Sequence, residues 1–216
     1  MVSVANVKSC LLIGVTGGIA SGKSTVVAIL KDMGAAVIDF DMLAREVVEP
    51  GKPAHQEIVA FFGDQVLGPD KQLDRKKIAD IVFADDKKRR KLESLTHPAI
   101  SAAYLERLNA ITANDPETII LADIPLLFEG NLQHMFHKTL LVYTPAPLQV
   151  KRLMARDGIS QFEAESRLKA QMDIDCKIDL ADYVIRNENS LEDTHAQTKE
   201  IWQTFKLIQK EGPPKQ

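Results

Sequence analysis

One short segment, Gly17–Ser24, restricts the fold of this chain more than any other feature. Its sequence, GGIASGKS, matches the pattern G-x-x-x-x-G-K-[ST], in which glycines let backbone N–H groups surround a phosphate. The apolar run Cys10–Val15 precedes the segment, and a helical pattern follows over Ser24–Met33. A buried strand, a glycine-rich loop and a helix in this order predict a phosphate-binding loop in an α/β fold.

The residues of this loop have separate chemical roles. Lys23 can reach the β- and γ-phosphates of a nucleotide, and the Ser24 hydroxyl is a ligand for Mg²⁺. Thr25 can contact the α-phosphate. A glycine turn without a ligand is the alternative, but the position of the match between a strand and a helix disfavours it. The predicted ATP-binding residues of the loop are Gly17, Gly18, Ile19, Ala20, Ser21, Gly22, Lys23, Ser24 and Thr25.

Acidic residues follow two of the predicted strands. The strand Ala36–Ile38 ends at Asp39 and Asp41, and its right-handed connection to the first strand through a helix implies a parallel sheet. Parallel sheets bind ligands at the carboxyl ends of their strands, where a carboxylate can accept a proton from a hydroxyl or help to hold Mg²⁺. Asp123, after the strand Thr118–Ala122, is a further Mg²⁺ candidate. The alternatives are that Asp41 only caps a helix and that Asp123 is a plain turn residue.

The remaining pattern predicts a sheet with two helical additions. Residues 51–116 contain no convincing strand, and Pro98 is suited to begin a helix that runs to Ile111. Further strands are predicted at Thr139–Tyr143 and Tyr183–Ile185, with helices at Ala146–Ala155, Ser160–Met172 and Leu191–Ile208. We predict a three-layer P-loop NTPase core with a parallel sheet, formed by residues 8–50, 117–147 and 181–209. A helical substrate-binding insertion occupies 51–116, a helical lid 148–180 and a disordered tail 210–216.

Three arginines lie in the predicted lid. Arg152 and Arg156 are one helical turn apart, and Arg167 lies on the next helix. Guanidinium groups on a closing hairpin can clamp phosphates and neutralise charge in the transition state, while closure excludes water. A solvated helix face is the alternative for each arginine taken singly. Because the chain also lacks the DxxG and [NT]KxD motifs of GTPases, these features favour a small-molecule kinase.

Composition disfavours several other classes of protein. The chain of 216 residues has a formal net charge of −3, whereas a dedicated nucleic-acid-binding domain is usually basic. Its dense basic run, Lys87–Lys91, has acidic neighbours and is interpreted as a solvated helix. The two cysteines form no metal-binding or disulfide pattern, and no apolar run has the length of a signal peptide or a membrane span. We expect a cytoplasmic protein without nucleic-acid or membrane partners.

A set of short motifs runs in order through nearly the whole chain. It begins with TGGIASGKST at Thr16–Thr25, continues through VIDFD at Val37–Asp41 and AREVV at Ala44–Val48, and includes PLLFE at Pro125–Glu129. Shorter matches lie at Phe62–Gly63, Leu73–Arg75, Val82–Phe83, Leu92–Pro98, Arg156, Arg167, Gln171, Ala181–Asp182 and Asn187. Taken together, the motifs resemble those of the dephospho-CoA kinase family. The resemblance implies a P-loop core, a helical CoA-binding insertion and a lid.

The resemblance also implies roles for individual residues. Asp41 is the expected catalytic base or hydroxyl-orienting group, acting with Lys23 and the lid residues Arg152 and Arg156. Arg156 is also expected to contact ATP, and Asn187 is expected near the adenine. The expected contacts of dephospho-CoA are Asp41, Arg45, His97, Pro125, Leu126 and Arg167. The expected Mg²⁺ site comprises Ser24, Asp39 and Asp123. The implied reaction transfers the γ-phosphoryl group of ATP to the ribose 3′-hydroxyl of dephospho-CoA.

The chain departs from the family pattern at a few positions. Phe40 stands between the two aspartates where a small residue is usual, and Ala20 replaces a loop glycine. Residues Met172–Cys176 differ from the common lid ending, and Arg186–Asn189 lacks the glycine that often follows the asparagine. None of these departures removes a proposed catalytic group.

Two other functions remain open at this point. One is another small-molecule P-loop kinase, of the nucleoside monophosphate or shikimate type, although the long helical insertion favours a bulky acceptor. The other is a non-catalytic P-loop switch that binds ATP. ATP and dephospho-CoA are the expected partners, and the chain is expected to be a monomer or a weak homo-oligomer.

Overall fold

The computed structural model describes residues 10–212, and the predictions for 8–9 and 213–216 lie outside the described residues. The chain forms two compact units: one extends to Ile38 and resumes at Ile111, and the other comprises Asp39–Ala110. We call them the sheet unit and the helical unit. The helical unit has other limits than the predicted insertion at 51–116, because Phe40 already packs within it, with its ring 5.1 Å from that of Tyr104.

Within residues 10–212, five strands form one sheet, in the order β2-β3-β1-β4-β5. The strands are β1 (Leu11–Gly17), β2 (Ala36–Asp39), β3 (Ile119–Asp123), β4 (Lys138–Tyr143) and β5 (Tyr183–Arg186). The central strand β1 pairs in parallel with β3 and β4, and β4 pairs in parallel with β5. The predicted α/β fold with a parallel sheet is confirmed.

In the sheet unit one helix follows β1, three helices lie between β4 and β5, and one follows β5, whereas the helices of the helical unit follow one another without strands. They are α1 (Lys23–Asp32), α2 (Phe40–Glu46), α3 (Pro53–Phe62), α4 (Arg75–Ala84), α5 (Asp86–Asn114), α6 (Ala146–Asp157), α7 (Gln161–Lys169), α8 (Ile174–Ile178) and α9 (Leu191–Glu211). Short 3₁₀ turns lie at Asp64–Val66 and Gln133–Met135. The helix α8, in the predicted lid, has no counterpart in the sequence prediction.

The strand β1 is buried at every position because both faces of the sheet are covered. On one face its side chains join a cluster with Val26 and Leu30 of α1 and with Trp202 and Phe205 of α9. On the other face, a side chain at Gly14 would collide with Leu127 and Phe136, which places the segment after β3 directly against the strand. The buried strand holds the loop that follows it at a fixed position.

The helical unit has its own apolar core. Ile58, Phe62, Val66 and Ile78 are buried together there, and they come from α3, the first 3₁₀ turn and α4. Asp74 caps α4 by accepting a hydrogen bond from the Lys77 N–H at 3.1 Å. The predicted helical character of this stretch agrees with the structure.

One helix start in this unit is a correction of the sequence prediction. Pro98 does not begin a helix but lies inside α5, which runs unbroken from Asp86 to Asn114. Pro98 lacks the N–H that would bond to the preceding turn, yet Leu92 and Leu95, in the part of α5 before it, pack against the apolar core. The Thr96 hydroxyl also donates to the Leu92 carbonyl at 3.0 Å. Packing therefore outweighs the local breaking signal of the proline.

One alternative for Asp41 was that it only caps the helix after β2. In the structure Asp39 is the cap, since its carboxylate accepts a hydrogen bond from the Met42 N–H at 3.0 Å, and Asp41 lies in the first turn of α2. At the other end of the chain, α9 continues to Glu211, beyond the predicted start of a disordered tail at 210. Phe205 and Ile208 of this helix belong to the sheet core, which holds its last turns in place.

Candidate nucleotide-binding site

The predicted phosphate-binding loop lies between β1 and α1. Gly22 is the N-cap of α1, has φ of 84°, and offers no side chain to cap the first turn. A Cβ at Gly22 would lie 2.0 Å from Nδ2 of Asn187, and a Cβ at Gly17 would lie 2.9 Å from the Val142 carbonyl. Gly22 is therefore required by space and by conformation, and Gly17 by space. The uncapped amides at this helix start form a site suited to an anion.

Ala20 adopts a backbone conformation that is usual for glycine. Its φ of 58° is in the left-handed region, where a Cβ costs about 1 kcal/mol. The loop therefore keeps the shape that a glycine would give it, although this chain carries an alanine. This departure from the family pattern alters the strain in the loop and leaves its lysine and serine in place.

Lys23 of the loop forms an ion pair with Asp123 at the end of β3. The two side chains are only 18% and 13% exposed, so water screens the pair weakly. In the parallel register Asp123 lies beside Val15 of β1, just before the loop begins. Asp123, which was predicted as a Mg²⁺ candidate, is thus brought to the phosphate-binding loop.

Asn187 and Thr144 brace the loop from the adjoining strands. The Asn187 side-chain amide donates to the Ser21 carbonyl at 2.8 Å, and its Oδ1 accepts from the Thr194 hydroxyl at 2.9 Å. The Thr144 hydroxyl contacts the same Ser21 carbonyl at 3.0 Å. Asn187 was expected near an adenine, and the structure shows that it supports the backbone of the loop. Sequence reasoning missed Thr144, whose only signal is its position after a buried strand.

The lid arginines occupy two different environments. Arg152 reaches the loop: its guanidinium lies 3.3 Å from the Thr144 hydroxyl and 3.9 Å from the Cβ position of Gly22. Arg156 and Arg167 instead bind the carboxylate of Asp157 on the surface, at 2.7 Å and 2.8 Å. The hydrogen bond from Arg156 lowers the pKa of Asp157, and the same bond raises the pKa of Arg156. The structure thus brings one of the three arginines to the loop.

Gln171 is a loop contact that the sequence analysis noted only as a match of residue type. Its side-chain Oε1 accepts a hydrogen bond from the Ile19 N–H at 2.9 Å. Both Gly18 and Gln171 line a cavity of about 1150 Å³, whose other walls come from α6, α7 and the segment before α8. A cavity of this size is large enough for a small-molecule ligand.

The expected acceptor contacts fall into both units. In the sheet unit, Thr16 fixes the segment after β3 by donating its hydroxyl proton to the Pro125 carbonyl at 3.0 Å, and Leu126 is 48% exposed there. In the helical unit, Asp41 and His97 have exposed side chains on α2 and α5. Arg45 lines a cavity of about 340 Å³ inside that unit. Its other walls are largely apolar and come from α2 to α5.

The oxygen atoms near the loop fit a Mg²⁺ ion that takes part of its coordination from water. The Ser24 hydroxyl and the Asp123 carboxylate are hard donors of the kind that Mg²⁺ prefers. Within residues 10–212 there is no cluster of three or more histidine, cysteine or acidic side chains able to hold a metal. Phosphate and water oxygens would therefore supply most of the ligands, as is usual for Mg²⁺ with nucleotides.

No helix within residues 10–212 is long and apolar enough to span a membrane.

Comparisons with known proteins agree with this geometry. The family model for dephospho-CoA kinase matches residues 11–193. The dephospho-CoA kinase of Moorella thermoacetica is 50% identical over 192 residues, which are 89% of this chain and 91% of that protein. That of Oceanobacillus iheyensis is 45% identical over 197 residues, covering 91% and 98% of the two chains.

Two solved structures are similar over nearly the whole chain. The crystal structure of TT1252 from Thermus thermophilus superposes with a TM-score of 0.80 at 36% identity, covering 91% of this chain and 98% of that one. The dephospho-CoA kinase from Campylobacter jejuni superposes with a TM-score of 0.61 at 31% identity, covering 91% and 97%. The resemblance inferred from the motifs is confirmed.

Proposed function

Because the chain belongs to the dephospho-CoA kinase family, we propose that it transfers the γ-phosphoryl group of ATP to the ribose 3′-hydroxyl of dephospho-CoA. The products are coenzyme A and ADP. The observation that carries this proposal is the match to one family over residues 11–193. It is supported by the phosphate-binding loop, which contains Lys23 and which Arg152 reaches from α6.

The loop residues bind and polarise the triphosphate. Backbone N–H groups at the start of α1 and the Lys23 ammonium surround the phosphates, while the Thr25 hydroxyl contacts the α-phosphate. Lys23 exchanges Asp123 for the more highly charged phosphates, since both partners lie at the same end of the sheet. Arg152 adds positive charge from α6, and Asn187 keeps the loop in shape.

Ser24, Asp123 and Asp39 are the proposed residues for holding Mg²⁺, the last two through water. When bound, the ion neutralises charge on the β- and γ-phosphates. Asp39 keeps one carboxylate oxygen on the Met42 N–H, so its other oxygen is the one offered to solvent or to an ion.

The acceptor hydroxyl is activated by Asp41. As the 3′-oxygen forms its bond to the γ-phosphorus, the bond from that phosphorus to the β,γ-bridging oxygen breaks, and the hydroxyl proton passes to the Asp41 carboxylate. The proposed contacts of dephospho-CoA are Arg45, His97, Pro125, Leu126 and Arg167. The apolar cavity that Arg45 lines suits an uncharged part of a bulky acceptor.

The lid arginines that bind Asp157 form the mobile part of this mechanism. Arg156 and Arg167 have exposed side chains, 58% and 50% accessible to solvent, and both can leave Asp157 for a phosphate. A phosphate is the stronger partner because it carries more charge and more acceptor oxygens than one carboxylate. Arg156 then contacts ATP and Arg167 contacts the acceptor.

We further propose that the protein is cytoplasmic and is a monomer or a weak homo-oligomer.

An acceptor assay tests the proposal. ADP release from Mg·ATP is measured with dephospho-CoA, AMP or shikimate as acceptor, and coenzyme A is identified as the product by mass. Turnover confined to dephospho-CoA is expected. If a folded, ATP-binding sample shows no stimulation by dephospho-CoA, the proposed acceptor is wrong.

A matched pair of variants tests the role of Asp41. We expect Asp41→Ala to lower kcat by about 10²- to 10³-fold, because it removes the proton acceptor. Asp80→Ala removes an exposed carboxylate from α4 in the same unit and should leave kcat unchanged. Wild-type turnover by Asp41→Ala, at unaltered ATP affinity, would show that another group accepts the proton.

A further inference from the structure

The hydrogen bond between Gln171 and Ile19 fixes which way the glutamine amide points. The Ile19 N–H can only donate, so the side-chain atom at 2.9 Å must be the carbonyl oxygen Oε1. The NH₂ group of Gln171 is then on the opposite branch of the amide. It has no acceptor among the described residues, and the side chain is only partly exposed. A directed donor of two hydrogen bonds is thus held beside the phosphate-binding loop.

The segment that carries Gln171 is anchored rather than free. The next residue, Met172, donates its N–H to Oε1 of Glu129 at 3.1 Å. Glu129 in turn binds the Lys177 ammonium at 2.7 Å, and the Lys177 side chain is fully buried. This buried ion pair fixes the end of the lid to the segment after β3, so Gln171 keeps its position independently of the exposed part of the lid.

We propose that the Gln171 NH₂ group binds an oxygen of the γ-phosphate in the nucleoside triphosphate complex. Along the loop, Thr25 is the residue for the α-phosphate and Lys23 for the β- and γ-phosphates. Ile19 lies at the opposite end of the loop from Thr25, and Gln171 is bonded there. The donor is therefore held at the end of the loop opposite to the α-phosphate contact, which places it on the side of the terminal phosphate. The inference rests on the proposed binding of ATP and is independent of the identity of the acceptor.

Gln171 on this reading is a phosphate-binding residue that distinguishes ATP from ADP. The exposed arginines can approach a nucleotide only by leaving Asp157, whereas Gln171 is already in position. A carboxamide is also suited to this place, since its carbonyl satisfies the loop N–H while its NH₂ serves an anion. A glutamate would satisfy the same N–H but would present a negatively charged oxygen to the phosphate.

The test compares the affinities of Gln171→Glu for a non-hydrolysable ATP analogue and for ADP, both with Mg²⁺, by calorimetry. We expect the Kd for the analogue to rise about 10-fold or more, because a hydrogen bond from the amide to the charged phosphate is replaced by repulsion between two negative groups. The Kd for ADP should change less than about threefold, since ADP lacks the γ-phosphate. Gln203→Glu, on the exposed face of α9, adds the same charge elsewhere and should alter neither value.

A purely structural role gives a different result. If Gln171 only braces the loop, Gln171→Glu lowers the affinities for both nucleotides equally or leaves both unchanged, and either outcome overturns the proposal. If the wild-type protein binds neither nucleotide, the proposed function itself is refuted.

A second measurement does not depend on the folding of a variant. In ¹⁵N-labelled wild-type protein, the side-chain NH₂ resonances of Gln171 are compared in the ADP and ATP-analogue complexes. We expect them to shift, and their exchange with solvent to slow, only with the analogue. Identical resonances in the two complexes would contradict a γ-phosphate contact.

Discussion

Two groups of charges in the lid region differ in burial, although both join basic side chains to a carboxylate. Lys177 and Glu129 form a pair whose side chains are 0% and 20% exposed. Arg156 and Arg167 share Asp157, with the arginines 58% and 50% exposed. The buried pair anchors the segment that contacts the phosphate-binding loop, and the exposed group leaves its arginines available to a ligand.

The difference follows from the cost of removing charges from water. A buried charge has only its partner to replace its hydration, so the loss of one member leaves the other strongly destabilised. An exposed charge is rehydrated when its partner leaves, and the pair contributes little to stability. One region can thus contain a fixed contact and an exchangeable one. Another pair, Lys138 of β4 with Asp182 directly before β5, is intermediate, with side chains 30% and 37% exposed.

The largest expected effect on stability is at the buried pair. Lys177→Ala should lower the free energy of unfolding by about 3–5 kcal/mol, because Glu129 is left charged without its partner. Urea denaturation followed by circular dichroism measures the change. Lys169→Ala, an exposed lysine at the end of α7, is the matched control and should have little effect.

A double variant sharpens this result. Lys177→Met combined with Glu129→Gln removes both charges and keeps an acceptor for the Met172 N–H. Most of the lost stability should return, since a buried pair is often no more stabilising than uncharged side chains of similar size. If the double variant is as unstable as Lys177→Ala, the loss comes from packing rather than from an unpaired charge.

A smaller and pH-dependent effect is expected at the intermediate pair. Partial burial raises the pKa of Asp182, but hydrogen bonds from Lys138 and Thr139 outweigh it and lower the pKa below 3.8. A carboxyl with a lowered pKa stabilises the folded state above its unfolded pKa and loses that contribution as the pH falls through its folded pKa. Asp182→Asn should therefore cost about 1 kcal/mol at pH 7, an amount that allows for solvent screening.

Stability measured from pH 7 to pH 2 checks this sign. The difference between wild type and Asp182→Asn should be constant near neutrality and should shrink below about pH 4, where the wild-type carboxyl takes up its proton. A difference that stays the same at every pH would mean that the carboxylate charge has no part in the effect.

The smallest effect is expected at the exposed group. Asp157→Asn should shift Tm by no more than about 2 °C, because exposed arginines remain hydrated. It should raise the affinity for an ATP analogue by at most about fivefold, since Arg156 and Arg167 no longer have to leave a carboxylate. Asp179→Asn, which removes an exposed charge from the end of α8, is the control. A large fall in Tm for Asp157→Asn would show that the two groups do not differ as their burial indicates.

Much of the fold follows from local sequence. The apolar run at β1, the glycines after it and the helical spacing of α1 involve residues that are neighbours in the chain, so their pattern predicts the phosphate-binding loop. The capping box at the start of α7 is likewise local, since it joins Ser160 and Glu163, three positions apart in the chain. Pro98 shows the limit of this reasoning, since tertiary packing keeps α5 continuous across a residue that usually starts or breaks a helix.

The partners of the site residues were decided by the tertiary structure. Gln171 is 152 residues from Ile19 along the chain, and Lys23 is 100 residues from Asp123. Sequence spacing places Arg152 and Arg156 on one helix, but it does not reveal that Asp157 holds only the second of them. Periodicity and turn chemistry act between neighbours in the chain. Ion pairs and side-chain hydrogen bonds depend on distance in space, which is set only when the strands and helices have packed.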